Sequence, residues 1–96
     1  MTLGQRIRQL REESGMKQRE LAAKLGIGEG FLSKIENDQK LIKREDLKKL
    51  SEFFNVAHSD LETLWLANKI YDLIKDENQG LKALKVAEEQ AKYVSR

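Results

Sequence analysis

The sequence predicts an all-α fold: a compact helical bundle with a C-terminal helical extension. Three observations carry the fold class. Proline is absent from all 96 residues, although a chain of this length ordinarily holds about five, so no segment is broken from within by a ring that cannot donate a hydrogen bond. Valine, isoleucine and threonine together number eleven, leaving strand formers scarce beside Leu, Lys, Glu, Gln and Ala. Apolar residues recur at spacings of three and four, the period of a helix with one buried face.

The elements follow in order. Thr2 and Gln5 form a Thr-x-x-Gln capping box, in which hydroxyl and amide satisfy backbone amides of the first turn. Leu3, Ile7 and Leu10 follow, and Gly15 stops a first helix over about residues 3–14. A short second helix near 18–25 buries Leu21, Ala22 and Leu25 and closes at Gly26; a third near 29–36 turns Leu32 and Ile35 inward. Helices this short are marginal alone, so they need each other and the first. A fourth near 44–54 offers Leu47, Leu50, Phe53 and Phe54 and ends at Asn55. Ser59 and Glu62 have the spacing of a second capping box, opening a fifth helix over about 60–77. Gly80 and the polar run 76–79 interrupt the pattern before a last helix near 81–94.

Composition excludes several kinds of chemistry. Without cysteine there are no disulfides, thiolate nucleophiles or zinc–thiolate sites, and one histidine, His58, builds no histidine-rich metal site; it reads as a loop residue. The acidic pairs Glu12/Glu13, Asp76/Glu77 and Glu88/Glu89 are adjacent, so on a helix they point apart and make poor acid–base partners. No phosphate-binding loop and no nucleophile beside a base is present. The chain reads as a non-enzyme that needs no cofactor and no metal. With neither a signal-peptide core nor a stretch near the roughly 18 apolar residues that span a bilayer, a cytoplasmic location and no membrane partner are expected. Residues 1–54 hold twelve Lys/Arg against nine Asp/Glu, whereas residues 55–96 hold six against seven. The basic excess lies in the first half, which points any anionic partner there.

Residues 17–37 read KQRELAAKLGIGEGFLSKIEN. Two short helices joined through a glycine-containing turn are the layout of a helix-turn-helix, whose second helix enters the major groove. Ala22 is small where the helices approach, and Gly26 accepts the left-handed backbone of a tight turn. Leu21, Leu25, Ile27, Leu32 and Ile35 supply one shared core, leaving Glu29, Gly30, Ser33 and Lys34 outward. Phe31 is expected to pack beside the fourth helix.

The pattern Gln18-x-x-Leu21-Ala22-x-x-x-Gly26-Ile27, then Leu32-Ser33-x-Ile35-Glu36-Asn37, resembles the XRE family of phage repressors, Cro proteins and bacterial regulators. The opening Leu3-Gly4-Gln5-Arg6-Ile7-Arg8-Gln9-Leu10-Arg11 is similar to that family's first helix, and the likeness covers about residues 3–66. It implies a sequence-specific transcriptional regulator of double-stranded DNA. Glu29, Gly30, Ser33 and Lys34 would face bases, with Lys34 suited to guanine. Gln18, Asn37, Lys40, Lys43 and Arg44 would address the phosphate backbone, and Arg11 with Glu36 would form a structural ion pair from the first helix to the end of the third. Two departures narrow the reading surface: a carboxylate at Glu29, which accepts from cytosine but is repelled by phosphate, and the absent side chain of Gly30.

The fifth helix carries more apolar residues than one face can bury. Leu61, Leu64 and Trp65 would close a DNA-binding domain over residues 1–66. Leu66, Ile70, Leu73 and Ile74 need other cover, and the extension 67–96 is expected to supply the seam of a homodimer on a palindromic operator. Within the family the closest-looking role is a controller of the restriction–modification type. The alternatives are an antitoxin whose C-terminal helices bind a toxin, and a protein-interaction module that no longer binds DNA.

Overall fold

The chain ends its helices with chemical signals written into it, and the computed structural model, which describes residues 1–94, shows six: α1 (Leu3–Glu13), α2 (Gln18–Leu25), α3 (Glu29–Glu36), α4 (Asp46–Phe54), α5 (His58–Ile74) and α6 (Gly80–Val94). No strand occurs among the described residues. Thr2 caps α1 as expected: its hydroxyl accepts from the Gln5 amide at 3.1 Å while the Gln5 side chain accepts from the Thr2 amide at 2.9 Å. Gly26 ends α2 at φ +71°, a left-handed backbone that glycine adopts without a steric penalty, and Asn55 ends α4 in the same region.

Three boundaries differ from the sequence reading, one of them the end of α5, which lies at Ile74 rather than near 77. α4 begins at Asp46 rather than 44, after a turn at residues 44–45. α5 begins at His58, with extended Ala57 at its N-cap and no side-chain cap. The Ser59–Glu62 capping box is therefore not formed. Asn55 has already turned the chain, so the helix starts one residue before Ser59, whose carbonyl accepts from Thr63 Oγ1 at 2.8 Å. His58 is the first residue of α5 rather than a loop residue, and its Nδ1 lies 3.4 Å from Glu62.

Leu3, Ile7 and Leu10 of α1, Leu21, Ala22 and Leu25 of α2, Leu32 and Ile35 of α3, Leu47 and Leu50 of α4, with Ile42 and Leu61, form one buried cluster. Fully burying each of the large side chains stabilises the fold by about 1.5–3 kcal/mol. Leu64 and Trp65 pack against this cluster, and Trp65 Nε1 donates to the Ile42 carbonyl at 2.8 Å. Phe54 also packs there, whereas Phe53 is exposed, its ring covered by the Lys24 ammonium at 4.3 Å.

A contact across the chain fixes how α1 crosses α3. Asp38, left-handed at φ +61° just after α3, accepts from Thr2 Oγ1 at 2.7 Å and from the Gly4 amide at 3.2 Å. The residue that follows one helix thus stabilises the positive end of another. Gly4 has no room for a side chain: a Cβ would collide with the Ile35 carbonyl oxygen and lie 2.6 Å from Asp38 Oδ1. Gly4→Ala should lower stability by about 1–3 kcal/mol, since backbone must move to admit the methyl; a urea midpoint equal to the wild type's would show that the crossing has slack.

Beyond Trp65 the packing thins. Among the described residues after it only Gly80 is buried. The radius of gyration, 15.2 Å, exceeds the roughly 12–13 Å of a compact chain this long. The accessible surface, 6941 Å², exceeds the roughly 5,700 Å² of a monomer of this mass.

Candidate nucleic-acid interface

The turn between α2 and α3 is three residues long. The amides of Gly26 and Ile27 bond back to the carbonyls of Ala23 and Ala22 at 3.2 and 3.0 Å, and Gly28 is the extended N-cap of α3. α3 then buries Leu32, Ile35 and Glu36. Since each helical residue turns by about 100°, the opposite side presents Gly30, Ser33, Lys34 and Asn37. Glu29, Gly30 and Lys34 are exposed and Ser33 is half-buried. Neither Glu29 nor Lys34 forms an ion pair among the described residues. Phe31, expected beside α4, is exposed instead, with 38% of its surface open. Leu32 and Ile35 occupy the inward positions, which leaves Phe31 on the flank.

Glu36 ties three helices together. Its side chain is fully buried. Arg11 of α1 grips the carboxylate at both oxygens, Nε to Oε2 at 2.7 Å and Nη2 to Oε1 at 3.0 Å, and Arg11 Nη1 donates to the Met16 carbonyl at 2.9 Å. Gln18, the first residue of α2, donates to Oε1 at 3.0 Å, and Arg8 Nε lies 3.4 Å from the same atom. Burial pushes the Glu36 carboxyl up, but the hydrogen bonds from Arg11, Gln18 and Arg8, with the Arg11 charge, outweigh it and hold the group below the ordinary carboxylate range. The hydrogen bond to Glu36 likewise raises the Arg11 guanidinium.

The residues assigned to the phosphate backbone divide into two sets. Lys40 and Lys43, in the segment between α3 and α4, are exposed and meet no carboxylate among the described residues. The others are engaged within the fold. Gln18 holds Glu36, and Asn37 accepts from Arg8 Nη2 at 2.9 Å while donating to the Ser33 carbonyl at 2.9 Å. Arg44 lies 3.4 Å from Glu62 and 5.0 Å from the centre of the Trp65 ring.

In α5, Leu66, Ile70 and Leu73 are exposed and Ile74 is half-buried. Leu81, Leu84, Val86 and Val94 of α6 are exposed as well.

Sequence reasoning missed Arg8 and Asp38. Arg8 stands three residues before Arg11 and so shares its helix face, which was a usable signal. Asp38 follows Asn37 at the end of a helix, where Asn and Asp tolerate the left-handed backbone, but its partners lie more than thirty residues away. Among the described residues no cluster of His, Asp and Glu could hold a metal ion, and no helix is long and apolar enough to cross a membrane.

A helix-turn-helix family model matches residues 7–61, more than half of the chain. The chain is similar to the HTH-type transcriptional regulator ImmR of Bacillus subtilis (strain 168), with 40% identity over 57 residues. That stretch is 59% of this chain and 45% of the regulator, so the chain spans under half the length of the curated relative it matches. No solved structure matches.

Proposed function

Since this chain belongs to the helix-turn-helix family of the Cro/C1 (XRE) type, we propose that it is a transcriptional regulator that binds double-stranded DNA as a homodimer on a palindromic operator. The observation that carries this reading is the division of α3. Its inner face is locked by Leu32, Ile35 and the Glu36 network, while Glu29, Gly30, Ser33 and Lys34 stand outward. In the major groove Lys34 reaches guanine and Glu29 accepts from cytosine. Lys40 and Lys43 meet phosphates, joined by Gln18 and Asn37 beside the buried network and by Arg44 once it leaves Glu62. The name of the Bacillus relative, a transcriptional regulator, supports the same role.

Dimerisation rests on the tail. The whole chain's surface excess of about 1,200 Å² over a compact monomer is more than the roughly 800 Å² that each partner gives to a standard interface, and packing is thinnest in the tail. Residues 66–94 carry five lysines and five acidic residues, a neutral balance that suits a second copy better than a strongly charged partner. Leu66, Ile70, Leu73 and Ile74 form the seam. If sedimentation shows a monomer that dimerises at no concentration, the same apolar surface favours the antitoxin reading, in which a different protein covers it.

Selection of bound sites from a random pool of duplexes tests the reading. Lys34→Ala should weaken specific binding by about 1–3 kcal/mol and relax preference at one position per half-site; equal weakening for all sequences would make Lys34 a phosphate contact. Lys43→Ala should lower the slope of log affinity against log salt by about one unit per subunit. A wild-type protein that enriches no sequence would end the regulator reading.

A further inference from the structure

Two adjacent residues of α3 have no explanation within the fold. Gly30 lies inside an eight-residue helix, where glycine is among the poorest choices. Neither packing nor backbone demands it: a Cβ there would meet nothing within 4 Å, and its φ is not positive. Phe31 beside it leaves 38% of its surface open and lies outside the buried cluster and its packed fringe. No cation or second ring lies against it among the described residues. A bare patch of backbone and an exposed aromatic ring thus stand side by side in the first turn of α3, one turn before Lys34.

That is the part of a recognition helix that meets base edges. The major groove presents one apolar group, the C5-methyl of thymine, and an aromatic side chain is among its partners. Glycine at a surface position lets a backbone approach a ligand more closely than any other residue does. We propose that Phe31 is a specificity-determining residue whose ring packs on a thymine methyl, and that Gly30 is bare so that α3 sits close enough for the ring to reach it. The inference rests on the DNA-binding reading of α3 and adds an apolar contact to its polar ones.

Uracil tests this directly, because it pairs as thymine does and lacks only the methyl. In an operator selected by the wild-type protein, each thymine is replaced singly by deoxyuridine. Wild-type affinity should fall about fourfold per half-site at one position, the worth of one buried methyl-sized group, and Phe31→Ala should bind the thymine and uracil duplexes equally. Gly30→Ala should raise the melting temperature by about 2–8 °C, since alanine suits a helix better, while operator affinity falls about fivefold or more as the added methyl forces the helix outward. A wild-type protein that discriminates sequences yet ignores every uracil overturns the proposal and leaves the DNA-binding reading intact. So does a uracil penalty that persists in Phe31→Ala, or a Gly30→Ala protein that binds as tightly as the wild type. Failure of the wild type to prefer any sequence overturns both.

Discussion

Glu36→Ala should lower the stability of the protein by about 3–5 kcal/mol, because it leaves a largely buried cation without its partner. In the native protein one carboxylate satisfies Arg11 twice and also receives Gln18 and Arg8. Removing it leaves Arg11 with the Met16 carbonyl as its remaining bond. A domain of this size has about 5–15 kcal/mol in total, so the loss is roughly a fifth or more of the whole, and the melting temperature should drop by about 12 °C or more. The same group imposes a pH dependence whose sign follows from its lowered pKa. Below the ordinary carboxylate value of about 4.3 the unfolded chain binds a proton at Glu36 that the folded chain refuses, so stability rises with pH there. The contribution is complete above about pH 4.3 and is lost as pH falls through the folded value. Urea titrations between pH 2 and 7 measure both effects, and in Glu36→Gln this part of the acid slope should vanish. A Glu36→Ala protein with the wild-type midpoint would mean that Arg11 finds water as good a partner.

Ile70→Glu should give a folded monomer that has lost operator binding. Ile70 is 46% exposed in the single chain, so a carboxylate there can reach water and the helical content should be unchanged. In the proposed dimer the dyad places the substitution twice in the seam. Losing the burial of two large side chains weakens association by about 3–6 kcal/mol, or roughly two to four decades in the dissociation constant. Each monomer then meets a half-site alone and loses the second set of contacts. Sedimentation reads the association and far-UV circular dichroism the fold. A mutant that remains dimeric and binds normally removes α5 from the interface; one that unfolds assigns Ile70 to the protomer's own core.

The elements most legible in the sequence are those whose ends are decided locally. Thr2 with Gln5, and Gly26, act on residues within four positions of themselves, so α1 and α2 could be bounded before any packing was known. The start of α5 was misread for the opposite reason. Ser59 and Glu62 have the right spacing, but Asn55 turns the chain first, and Glu62 faces Arg44 and His58 instead of a helix cap. Phe31 is expected beside α4, yet 38% of its surface is open, because Leu32 and Ile35 fill the inward positions of so short a helix. In the candidate interface, Arg11 and Glu36 were visible through a family resemblance. The arrival of Arg8 and Gln18 at the same carboxylate was not, since it depends on three helices converging. Asp38 was beyond reach for the same reason: what it does is set by the crossing of α1 over α3.

The separation within α3 between what holds it and what it presents bears on how such a protein diverges. Leu32, Ile35 and Glu36 anchor the helix, and the exposed positions Glu29, Gly30, Phe31 and Lys34 take part in none of the ion pairs that fix it. Exchange at those four positions should leave the scaffold standing, so under the proposed DNA-binding role a duplicated gene could acquire a new target sequence in single steps without passing through an unfolded ancestor. The anchor has no such freedom. A lineage that changes Glu36 must accommodate Arg11, Arg8 and Gln18 as well, and descendants of this chain should vary at the proposed reading positions long before they vary at that carboxylate.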